Sequence, residues 1–107
     1  MRIVTTHRID GTKVVRTLGI VRGSTIRARH VGRDILAGLR NIVGGEIHEY
    51  VKLMGEAREQ AIDRMVEEAE ELGANAILGV HFATSMIMSG AAELMVYGTA
   101  VVIEDED

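Results

Sequence analysis

The sequence predicts an α+β domain, one long helix packed on an antiparallel sheet, and three observations predict it. Residues 46–72, EIHEYVKLMGEAREQAIDRMVEEAEEL, place apolar side chains at helical spacing over more than six turns. Residues 2–9 and 13–27 are rich in β-branched side chains and are separated by Asp10-Gly11. Residues 75–88 and 91–103 form a second strand pair around Ser89-Gly90. At 107 residues the chain is long enough for one core and not for two, so 1–107 is read as a single domain.

Taken in order, Asp10-Gly11 predicts a hairpin, because both central residues of a type I′ turn need positive φ. The strand that follows is apolar on both parities: Val15 and Val21 on one, Val14, Leu18 and Ile20 on the other. Gly19 and Gly23 predict a bulge, or a place where neighbouring backbone comes close. Residues 31–43, VGRDILAGLRNIV, carry Val31, Ile35 and Leu39 at four-residue spacing and predict a short helix. Gly44-Gly45 ends that helix and opens the long one, whose first turn holds Glu46 and Glu49, the sign that suits a helix N-terminus.

The long helix presents Ile47, Tyr50, Val51, Met54, Ala57, Ala61, Met65, Ala69 and Leu72 as one stripe. Its alanines predict close approach to a sheet or another helix. Gly55 costs about 1 kcal/mol relative to alanine inside a helix, which predicts a tight contact or a slight bend there. Gly73 is the stop signal. Glu67, Glu68, Glu70 and Glu71 crowd the end of the helix that disfavours acids, with Arg64 one turn away to offset them.

Both later strands are also apolar on both parities. An antiparallel sheet with one wet face would alternate apolar with polar, so both faces are expected to be covered. Length points the same way. A helix of 27 residues and a strand of twelve each run about 40 Å, against a diameter of roughly 35 Å for a compact chain of this size. The elements overrun the globule they would form alone, and a symmetric homo-oligomer is expected.

Composition excludes more than it assigns. Without cysteine there are no disulfides, thiolate metal sites or cysteine nucleophiles, which fits a reducing cytoplasm. Phe82, Tyr50 and Tyr97 are the only aromatic residues, little material for stacking single-stranded nucleic acid. Residues 1–40 hold nine basic side chains and two acids, the remainder three basic side chains and fourteen acids. Arg16, Arg22, Arg27 and Arg29 are spread along strand-like sequence, so this asymmetry reads as basic and acidic surfaces packing together, not as a nucleic-acid arm. No leader peptide and no membrane span are expected from the pattern.

Candidate chemistry is sparse. His7, His30, His48 and His81 are the non-carboxylate metal candidates, but no two stand at i, i+4 and no HExxH occurs. Gly44 and Gly45 at the opening of the long helix, with Arg33 and Arg40 nearby in sequence, make a candidate cradle for a phosphate or carboxylate. The competing reading pairs Arg33, Asp34 and Arg40 as structural ions around a tight turn. No GxSxG, Walker A or other nucleophile context appears, so no catalytic residue is named. Catalysis enters only as the alternative of an enzyme acting at an inter-subunit site. Met86, Met88 and Met95 read as adaptable core or interface.

The run GRDILAGLRNIVGGEIHEY, with EAREQAIDRM, ELGANAILGV and YGTAVV, resembles the YbjQ-like family, small proteins labelled as heavy-metal-binding domains without an established role. The resemblance covers nearly the whole chain and is carried by Arg33-Asp34, Gly38, Arg40, Gly44-Gly45, Tyr50, Ala57-Arg58, Gly73-Ala74-Asn75-Ala76 and Gly98-Thr99-Ala100. It implies a dodecin-like subunit in a ring-shaped homo-oligomer, a homopentamer, and its label makes a divalent metal ion the first ligand to consider, beside the small molecule that the Gly44-Gly45 cradle would take. The chain departs from many relatives after Gly79-Val80, where His81-Phe82-Ala83-Thr84 stand in place of acidic residues. If those acids held a metal, this chain has lost them.

Overall fold

In the computed structural model, residues 1–27, 45–88 and 91–106 are described, with side chains for 1–26, 54–85 and 93–106. Strand β1 (Arg2–Ile3) is followed by β2 (Thr12–Arg27), helix α1 (Gly45–Glu71), β3 (Ala76–Met88) and β4 (Ala91–Asp105). The four strands form one sheet in the order β1-β3-β4-β2. The expected short helix at 31–43 lies outside the described residues.

The β3–β4 hairpin forms as the sequence predicts, from Met88↔Ala91 down to Ala76↔Val101. The Asp10-Gly11 hairpin does not. A turn is present there, with Gly11 at φ 77° and the Thr12 N–H donating to the Ile9 carbonyl at 3.2 Å. The two flanking segments nevertheless part company: β2 joins β4, while β1 crosses to the opposite edge and runs parallel to β3, Arg2↔Ala76 and Ile3↔Ile77. The sheet is therefore mixed, not wholly antiparallel. The physical reason is that β4, apolar on both parities, offers β2 a partner fifteen residues long, which a hairpin with the short N-terminal strand cannot match.

Helix α1 lies along β2 and β4, and the close approach is made by small residues on both sides. Ala57, Ala61, Met65 and Ala69 are buried, as the stripe requires, whereas Leu72 falls beyond the helix end and is exposed. Across from them Val21, Gly23 and Thr25 of β2 are buried, and the Thr25 hydroxyl donates to the Ala57 carbonyl at 3.4 Å. A Cβ on Gly23 would overlap the Ala61 carbonyl oxygen and stand 2.6 Å from the Met65 nitrogen. Gly19 carries the expected irregularity: its φ is 121° and the register slips between Thr17 and Gly19. The tight contact expected at Gly55 is not present among the described residues, where a Cβ would meet only Arg58, at 4.0 Å.

The helix closes in a Schellman arrangement. Gly73 takes φ 86°, its N–H bonds to the Glu70 carbonyl at 3.0 Å, and the Ala74 N–H reaches back to Ala69 at 3.0 Å. Arg64 is not spent on the acidic helix end; its Nη1 donates to the Ser24 carbonyl of β2, tying helix to strand. Immediately after the cap, Asn75 clamps the end of β4, donating from Nδ2 to the Ile103 carbonyl (2.9 Å) and accepting from the Ile103 N–H at Oδ1 (2.8 Å). Asn75→Ala leaves both backbone groups unpaired and is expected to cost about 1–3 kcal/mol. A urea midpoint unchanged in the variant would show the clamp to be idle.

The two faces of the sheet hold separate cores. On the helix face Val21, Met65, Ile77, Val80, Val96 and Ala100 pack with the alanines of α1. On the other face, at one end only, Ile9, Ala76, Leu78, Val101 and Ile103 pack together under the chain that follows β1. Among the described residues no buried cluster occupies the rest of that second face, and the candidate chemistry lies there.

Candidate functional site

Of the anion cradle expected from the sequence, the structure shows one part: Gly45 is the first residue of α1. Arg33, Arg40 and Gly44 lie outside the described residues. So does His30, and His48 is described only as backbone within α1. The sequence-derived cradle is thus not something the described geometry assembles.

His7 and His81 are both described and both exposed. The His7 ring lies over Gly79, with Nδ1 and Cε1 at 3.4 and 3.6 Å from where a Cβ would stand. Gly79 allows this by taking φ 62°, which bends β3 so that the Gly79 N–H reaches the Thr6 carbonyl at 2.9 Å. His81, just past that bend, lies opposite Tyr97, the ring centroids 6.0 Å apart and the planes inclined by 53°. Among the described residues no three His, Asp or Glu side chains come together as a metal site. The depression beside α1 lined by Gly55, Glu56, Glu59, Gln60 and Asp63 gathers acids without converging them. Within the described part of one chain, the residues do not fit a chelated heavy metal.

The strand register also assembles a row across the sheet face opposite α1, which the sequence alone did not reveal. Register places Arg22 of β2 opposite Tyr97 of β4, and Tyr97 opposite His81 of β3. Cross-strand partners share a face and their Cβ atoms stand about 5 Å apart. Since Val21 points to the helix, Arg22 points away from it, and Tyr97 and His81 follow. All three are exposed. Ile20 and Ile26 lie on the same face, two and four residues along β2 from Arg22, and are 74% and 60% exposed. The signal was present in the sequence as parity within each strand; the register that aligns three strands was not.

The described residues include no helix long and apolar enough to cross a membrane.

Comparison with known proteins gives one consistent result. The family model YbjQ_1, described as "Putative heavy-metal-binding", matches residues 1–104. A "UPF0145 protein" of Methanosarcina acetivorans is 58% identical over 103 residues, spanning 96% of this chain and 97% of the relative. A UPF0145 protein of Dehalococcoides mccartyi is 56% identical, over 97% of this chain and the whole of the relative. Among solved structures, a protein of unknown function from Pediococcus pentosaceus, assigned to a DUF74 family, superposes with a TM-score of 0.63. It covers 97% of this chain and 98% of that one at 17% identity, a likeness of fold alone.

Proposed function

This chain belongs to the YbjQ family, and on that premise we propose that it is a cytoplasmic subunit of a homo-oligomeric ring that binds a small ligand through its assembled surfaces. One observation carries the reading. The chain is elongated, 59 × 26 × 18 Å with a radius of gyration of 17.3 Å, where a compact chain of its length has about 13 Å. Its apolar surface is spread along that length and is not gathered into one core.

The edges of the sheet support a ring in particular. Among the described residues nothing pairs with the outer edge of β2, and β3 is paired on its outer side only near its start. Free edges of this length are templates for pairing with another chain. The two lie on opposite sides of the sheet, and β2 and β3 run in the same direction because both are antiparallel to β4. Pairing β2 of one copy with β3 of the next is a heterologous, head-to-tail contact, the kind that generates rings when the rotation closes. Phe82, on the helix face of β3 but 47% exposed, would be covered by such a neighbour. Five subunits is the number the family resemblance supplies.

The described residues of one chain do not form a metal centre, so no metal chemistry is assigned to them. The ligand reading rests instead on surfaces that assembly would bring together: the helix opening at Gly45 and the exposed histidines. Native mass spectrometry of protein purified without added metal tests the proposal. One species of several subunits is expected, any retained ion appearing as added mass. A well-behaved monomer at micromolar concentration would overturn it.

A further inference from the structure

The row Arg22–Tyr97–His81 combines three features that recur where proteins hold flat, negatively charged small molecules. Arg22 supplies a planar guanidinium that pairs with carboxylate or phosphate and stacks on aromatic faces. Among the described residues its side chain makes no ion pair or hydrogen bond. Tyr97 and His81 supply two neighbouring π faces, 6.0 Å apart and inclined by 53°, an open wedge and not a closed stack.

The dimensions suit such a ligand. Three adjacent strands span about 10 Å from Arg22 to His81. That is the reach of a single aromatic ring system with one charged substituent. Ile20, two residues from Arg22 on the same face and 74% exposed, provides apolar ground beside the Arg22 end. The nearest acid placed on this face by the register is Glu93, opposite Ile26 and four residues along β4 from Tyr97. At strand rise that is about 13 Å, beyond a Debye length in physiological salt, so it does little to cancel the arginine. The scaffold is rigid: β4 is paired on both sides through Tyr97, and the helix is packed against the reverse face.

We propose that the Arg22–Tyr97–His81 row is a binding site for a flat aromatic molecule carrying a negative group, the ring lying against Tyr97 and His81 and the anion at Arg22. The site is complete in one chain, so it stands or falls apart from the ring proposed above.

The test is calorimetric titration of the full chain with AMP, with adenosine and inorganic phosphate as separate arms, and with 4-nitrophenyl phosphate as a second flat anion. Both flat anions are expected to bind saturably, and more tightly than adenosine or phosphate alone. Arg22→Ala and Tyr97→Ala are each expected to weaken binding about tenfold or more, the loss of one charge-assisted or stacking contact. Tyr97→Phe, which keeps the ring, should bind as the parent does. Light scattering on every variant reads the assembly state independently. Three outcomes overturn the proposal: no saturable binding of either flat anion; equal binding by Arg22→Ala and the parent; or variants that change the subunit count, which would make the row a contact between copies.

Discussion

Alanine at Gly23 is expected to unseat the helix. The hydrogen that glycine presents is all that fits between β2 and α1, because an added methyl group runs into the Ala61 carbonyl oxygen and the Met65 nitrogen. Both obstacles are backbone, and a side-chain rotation relieves neither. Overfilling a packed core costs about 1–3 kcal/mol and sometimes more, and a wedge held open by backbone belongs at the upper end. The Arg64 bond to the Ser24 carbonyl and the Thr25 bond to Ala57 flank the same contact, so both are expected to weaken with it. The measurement is chemical denaturation of Gly23→Ala beside Gly55→Ala. The second adds the same methyl where, among the described residues, a Cβ meets only Arg58 at 4.0 Å. Gly55→Ala is expected to hold or raise stability by up to about 1 kcal/mol. If both variants unfold at the same denaturant concentration, the close approach at Gly23 is not what seats the helix.

Shortening Met65 is expected to have an effect of similar size by the opposite route. Met65 is the largest fully buried side chain among the described residues of the helix and stands in the core with Val21, Ile77, Val80 and Val96. Its neighbours on α1 at Ala61 and Ala69 are too small to move into the space it would leave. Met65→Ala therefore creates a cavity that relaxes little, and about 2–5 kcal/mol is expected. Met65→Leu keeps most of the volume and should cost less than about 1.5 kcal/mol. A small loss in the alanine variant would mean that helix and sheet can close the gap.

What the sequence revealed and what it hid divide along a physical line. Local signals read well: the Gly73 stop became a Schellman cap, β3 and β4 paired as neighbouring antiparallel strands, and the alanine stripe lay against β2. Each depends on residues a few positions apart. The failures concern partners far apart in sequence. Asp10-Gly11 made its turn, yet the strand before it paired with β3 and the strand after it with β4. A turn residue sets local dihedrals but cannot choose between partners of unequal length. Arg64 likewise had acids one turn away and bonded instead to a carbonyl forty residues earlier. The Arg22–Tyr97–His81 row was hidden for the same reason: its members come from three strands. Of the candidates read from sequence, Arg33, Arg40, Gly44 and His30 fall outside the described residues. His7 and His81 are exposed without converging on an acid.

The strand order also governs how the chain comes to fold. Thr12 pairs with Asp105, so β2 has no partner until β4 has left the ribosome. Strand β1 must likewise wait for β3. Helix α1 needs only local bonds and can form on its own timescale, but a sheet closed by such distant pairings is slow to nucleate. Through that interval the long apolar β2 is exposed and unpaired, the condition under which nascent chains aggregate. The order β1-β3-β4-β2 thus makes closure of the sheet wait for β4, and makes β2 the segment most in need of protection before it.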